Sequence, residues 1–142
     1  MGQYLEFAGN HPFLMGALVL VSVMLVMTSF QRKLLGFSEL NVNEAVRLIN
    51  QDDAVVLDVR EDKEFRKGHI INAVNIPLGV LEGRLNELEN RKDKPVIVCC
   101  RTGQRAAKAG SVLQRQGFKS THKLKGGMLA WVDANMPVSR KN

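Results

Sequence analysis

The chain has 142 residues, 45% of them hydrophobic and 24% charged, and its 20 Lys and Arg against 14 Asp and Glu give a net charge of +6. That is room for one globular domain, and its two cysteines, adjacent at Cys99 and Cys100, exclude a disulfide framework because neighbours on a strand point to opposite sides. The basic residues are not clustered among aromatics as a nucleic-acid surface requires, and His11, His69 and His122 are too scattered for a zinc site, so neither nucleic acid, metal nor cofactor is expected.

Residues 1–11 read as a short tail. From Pro12 to Phe30 no residue is charged, and as a helix this run extends roughly 28 Å, close to a bilayer core of about 30 Å. A cleaved signal peptide fits less well, since no Lys or Arg precedes the run and no A-x-A site follows it. Apolar residues on every face suit lipid better than a protein core. Residues 12–31 are therefore expected to be a transmembrane helix. Arg32 and Lys33 follow it and no basic residue precedes it, so the C-terminal domain of a single-pass membrane protein is expected in the cytoplasm. Residues 32–37 are expected as a linker and 38–142 as the domain.

Helical and extended signals then alternate, as in an α/β domain with a mostly parallel sheet. Asn43 is a candidate cap for a helix to about Asn50, with Ala45, Val46, Leu48 and Ile49 on its apolar face. Ala54 to Leu57 reads as a buried strand ending at Asp58. The segment EDKEFRKG reads as a short helix stopped at Gly68, and Ala73 to Ile76 as a strand ended by Pro77. Gly79 to Leu88 is expected to be helical, Pro95 to Cys99 a strand, Gln104 to Gln116 a helix stopped at Gly117, Thr121 to Leu124 a strand, and Met128 to Ala134 a last helix.

The chemistry gathers in PVIVCCRTGQRAAKAG, a buried strand, a loop with a glycine, then a helix. Ligands of open parallel sheets bind at the carboxyl ends of strands. Cys100 opens the loop, Gly103 lets the backbone curl at positive φ, and successive N–H groups with the Gln104 helix behind them favour an anion at the sulfur. Arg101 and Arg105 supply candidate positive charge. Cys99 faces the other side and reads as core. Asp58 and Arg60 either line the pocket or form a structural ion pair that braces the loop. His69 reads as a turn-stabilising hydrogen-bonder, Trp131 as a core aromatic under the loop, and Lys123 and Lys125 as solvated charges or contributors to an anion-attracting field.

In this order and spacing, DVRE at 58–61, GHIINAVNIP at 68–77, CRTGQRA at 100–106 and LKGGMLAW at 124–131 resemble the rhodanese family. The resemblance implies an open, mostly parallel five-stranded sheet with helices on both faces. It also implies a sulfurtransferase in which Cys100 takes sulfane sulfur from a small anionic donor such as thiosulfate and passes it to a thiol or protein acceptor. The active loop would be Cys100, Arg101, Thr102, Gly103, Gln104 and Arg105. Ile71-Asn72 stands where the family often has Pro-Gly. Phosphatases that resemble this family space cysteine and arginine as C-x5-R; here Cys100 and Arg105 give C-x4-R, a cradle better matched to one sulfur atom than to a phosphate. A membrane-bound interaction module that kept the fold is the non-enzymatic alternative.

Overall fold

The computed structural model describes residues 1–34 and 37–141, which divide into an N-terminal unit ending at Leu35 and a second unit beginning at Gly36. In the first unit, the expected tail is helical, α1 (Gly2–Asn10), and α2 runs from Pro12 to Leu34. The helix expected over 12–31 therefore forms. Among the described residues, however, no helix is long and apolar enough to cross a membrane, and the described side chains of the apolar run stop at Thr28. Arg32 and Lys33, expected in a linker, continue α2, while Leu35 and Gly36 of that linker lie outside the described residues.

The second unit holds β1 (Ser38–Leu40), α3 (Val42–Gln51), β2 (Val55–Asp58), α4 (Asp62–Lys67), β3 (His69–Ile70) and β4 (Val74–Asn75). Two stretches of 3-10 helix, Leu78–Val80 and Glu82–Arg91, lead to β5 (Val96–Cys99), α5 (Gln104–Arg115), β6 (Thr121–Leu124), α6 (Gly127–Asp133) and β7 (Val138–Ser139). Five strands form a parallel sheet in the order β1-β6-β5-β2-β4, and β3 pairs antiparallel with β7 in a separate ribbon.

Strands β2 and β5 are buried throughout, as central parallel strands covered on both faces must be. Their side chains alternate between two cores. Leu57, Val59, Val96, Val98 and Cys100 pack with Ala106, Ala109 and Leu113 of α5 and with Leu81 and Leu88. Val56, Ile97 and Cys99 pack with Ala45 of α3 and with Met128 and Trp131 of α6. The two cysteines thus face opposite layers, as the period-two geometry of a strand requires.

Four local readings are corrected. The α3 cap is Asn41, not Asn43: its side chain accepts from the Glu44 N–H at 2.9 Å while Glu44 accepts from the Asn41 N–H at 2.8 Å, a reciprocal capping box that fixes the start two residues earlier. Gly79 to Leu88 winds as 3-10 and not α, anchored by the buried Leu81 and Leu88 with Leu85 packed against the same core. Ser38–Leu40, expected as the entry into the domain, is a strand because β6 offers it an edge. The β3–β7 ribbon was not expected at all. At Ile71-Asn72 the turn forms without Pro-Gly: Asn72 takes φ 61°, and the Ala73 N–H donates to the Ile70 carbonyl at 3.0 Å. Asparagine tolerates that left-handed conformation better than most residues.

Candidate active site

Three strand ends meet at one edge of the sheet. Asp58 is in register with Cys99 on one side and Asn75 on the other, so DVRE, CRTGQR and NIP leave the sheet together. The loop from Cys100 is held by backbone: the Gly103 N–H donates to Cys100 Sγ at 3.0 Å, and Gly103 has φ 112°, a conformation that favours glycine. Of the several N–H groups expected around the sulfur, this is the one bonded to it among the described residues.

The outer side of the loop is gripped by the start of α6. The Met128 N–H donates to the Cys100 carbonyl at 2.8 Å and the Leu129 N–H to the Arg101 carbonyl at 3.2 Å. Gly127, at φ 59°, lies so close that a β-carbon there would fall onto both carbonyl oxygens, 2.6 Å from that of Arg101. This accounts for the second glycine of LKGGMLAW; at the first, Gly126, with φ 73°, a β-carbon would meet Ala130 Cβ at 2.7 Å. Trp131 is core, but it lies in the Cys99 layer rather than under Cys100, with its indole N–H donating to the Pro137 carbonyl at 3.0 Å.

Asp58 and Arg60 form a buried ion pair. The guanidinium donates to both carboxylate oxygens, with Nη2–Oδ2 at 2.7 Å, and Nη2 also donates to the Gly68 carbonyl at 2.8 Å. Burial works against the Arg60 charge, but the hydrogen bonds and charge of Asp58 outweigh it and hold the guanidinium above its ordinary pKa. Asn75 Nδ2 donates to the carbonyls of Asp58 and Arg60 at 3.0 and 2.9 Å, tying β4 to the same corner. The pair braces this corner, and Arg60 also lines a cleft beside the loop, so the geometry fits both of the roles considered.

Arg105 is not a free charge. It donates to both oxygens of Glu64 in α4, at 2.8 and 2.9 Å, and these hydrogen bonds hold the Glu64 carboxyl down at about 2. Lys123 pairs with Glu39 at 2.7 Å, while Lys125 is exposed. Arg101, Thr102 and Gln104 are exposed, and the Arg101 side chain has no partner among the described residues. Burial, with the charge of Asp58 adding to it, pushes the Cys99 thiol well above its usual range. His69 donates from Nδ1 to the Phe65 carbonyl at 2.9 Å and stacks on the Phe65 ring, a bracing role.

Cys100 is the loop residue whose sulfur meets a backbone donor, yet only 1% of the residue is exposed. A cleft of about 540 Å³ opens beside the loop, lined in part by Arg101, Met128 and Leu129, with Cys100 itself behind its wall. An anionic sulfur at Sγ would lie against a fixed N–H dipole at the α5 N-terminus.

Comparison with known proteins gives a consistent result. The family described as "Rhodanese-like domain" matches residues 41–134. The chain is 36% identical over 141 residues, 99% of both chains, to the uncharacterized protein YibN of Escherichia coli. It is 32% identical over 92 residues to a sulfurtransferase of Allochromatium vinosum, covering 65% of this chain and 84% of that one. Among solved structures, a rhodanese-related protein of Thermoplasma volcanium superposes with a TM-score of 0.67 at 31% identity, covering 74% of this chain and all of that one.

Proposed function

The chain belongs to the rhodanese-like family, and on that footing we propose that it is a sulfurtransferase in which Cys100 carries the sulfur. The donor is a small anion such as thiosulfate and the acceptor a thiol, with cyanide as an acceptor in vitro. In the first half-reaction the Cys100 thiolate attacks the outer sulfur of thiosulfate; a new S–S bond forms at Sγ as the old one breaks, and sulfite leaves with the electron pair. In the second, the acceptor thiolate attacks the outer sulfur of the persulfide and Cys100 departs as thiolate. The observation that carries this reading is the Gly103 N–H on Cys100 Sγ, inside a loop whose carbonyls are pinned by α6. Arg101 is the charge available to the donor; Arg105, tied to Glu64, positions the loop.

Intact-mass measurement after exposure to thiosulfate tests it. One added sulfur atom on Cys100, removed by cyanide and absent from Cys100→Ser, is expected. A label on Cys99, or turnover by Cys100→Ser, would falsify the assignment. The C-x4-R spacing also predicts no competition by micromolar vanadate, which a phosphatase loop would bind.

The uncharged run after Pro12 and its exposed apolar side chains, from Phe13 to Met27, support a membrane tether over 12–31, with the basic residues behind it holding the catalytic domain in the cytoplasm of a bacterial cell. Reporters fused to the C-terminus should be active in the cytoplasm; activity only in the periplasm would reverse the topology.

A further inference from the structure

The cleft beside the sulfur loop is far larger than thiosulfate needs. Pockets of about 300–1,000 Å³ accommodate ligands of drug or short-peptide size, and this one holds about 540 Å³. Its lining includes Arg101, Leu129 and Val132 of α6, Lys67 at the end of α4, and Val138 and Arg140 of the C-terminal segment. The last two are there because β7 pairs with β3, Val138 opposite Ile70, which also brings Val138 against Gly68. The family match ends at residue 134, so this wall lies beyond the matched region.

Two properties define what would fit. The side chains of Lys67, Arg101 and Arg140 are exposed and unpaired among the described residues, while the acidic lining consists of Glu64, already engaged by Arg105, and Asp133. Cationic charge is therefore in excess. Between these charges Leu129, Val132 and Val138 remain 48%, 54% and 40% exposed, a grouping of apolar surface that marks a contact site rather than a solvated face.

The geometry points to this cleft as the docking site of an acidic, partly apolar polypeptide segment that presents the acceptor thiol to the Cys100 persulfide. The acceptor role rests on the sulfurtransferase reading; the docking itself rests on charge and shape. The segment's cysteine, as thiolate, attacks the outer sulfur, the Sγ–S bond breaks, and Cys100 leaves as thiolate, so no outside oxidant or reductant is required. Lys67 and Arg140 steer and hold the segment, and the apolar side chains take its Leu or Val residues.

The test uses the full chain and two fluorescent peptides, each with Leu residues around a single Ser, one carrying Glu and the other Lys at the flanking positions. The acidic peptide should bind about tenfold more tightly at low ionic strength, with the preference shrinking as salt rises. The double variant Lys67→Glu, Arg140→Glu should abolish or reverse that preference. Equal binding of the two peptides, or a preference untouched by the charge reversal, overturns the docking site. With Cys in place of Ser, and Cys100 loading scored separately by mass, sulfur should move faster to the acidic peptide. A peptide preference with Cys100 that never loads would overturn the sulfur-transfer reading, and the acceptor role with it, while leaving the docking surface standing.

Discussion

Asp58 and Arg60 are buried two residues apart at the end of β2, and each makes the other's charge tolerable there. Arg60→Ala would leave a carboxylate in the core without its partner and should cost about 3–5 kcal/mol in urea denaturation, more than the double variant Asp58→Leu, Arg60→Met. A loss below about 1 kcal/mol would mean that the corner is held by the backbone alone. Glu64 gives a pH signature. Its folded-state carboxyl is held down at about 2 from an ordinary 4.5, so its pairing with Arg105 favours the folded state above about pH 4.5. That contribution fades as the pH falls towards 2. The thermal stability of Glu64→Gln should therefore lie below wild type at neutral pH and converge with it in acid; parallel curves down to pH 2 would refute the pairing. Cys99→Ala should leave sulfur labelling intact at a cost of about 1–2 kcal/mol. Cys100 and the Asp58–Arg60 pair are legible in the sequence because their motifs are local. Glu64 is not, because its partner lies 41 residues away and nothing in EDKEFRKG marks one acid among several as the arginine's anchor.

The start of α6 acts as a clamp, and two glycines separate its role from that of a simple turn. Gly127→Ala drives a methyl group into the carbonyls of Cys100 and Arg101, so persulfide formation should fall together with stability. Gly117→Ala, at φ 87° but with open space around it, should cost about 1–2 kcal/mol for the backbone conformation and leave the chemistry alone. If both variants load sulfur equally well, the clamp is not what shapes the loop. Asn41→Ala should cost about 1 kcal/mol by removing the reciprocal cap of α3. The longer elements are readable from periodicity and punctuation: β5 from its β-branched run and α5 from its ends at Gly103 and Gly117. What escapes are elements that exist only because a distant neighbour offers hydrogen bonds. β1 is three residues completed by β6, and β3 and β7 are two residues each, completed by one another. The wall of the cleft was hidden for that reason.

Across the whole domain, the alternation of strands and helices makes the α/β class and a mostly parallel sheet legible, and the family resemblance supplies the count of five strands, whereas the side-by-side order β1-β6-β5-β2-β4 is set by pairings that leave no local trace. The same order governs when the fold can form. The first strand of the sheet pairs with the last one made, Ser38 opposite His122, and the Ser38 hydroxyl meets the His122 ring across 84 residues of sequence. Such distant closure makes refolding slower than in a domain built from local contacts. During synthesis β2, β4 and β5 can assemble while β1 has no partner, and protection of Ser38–Leu40 from protease should appear only once Thr121–Leu124 has cleared the ribosome. The α6 clamp is made later still. A newborn chain therefore displays its cysteine loop before α6 can pin its carbonyls, and on the sulfurtransferase reading the capacity to hold sulfur is complete only once Gly127–Asp133 has been made.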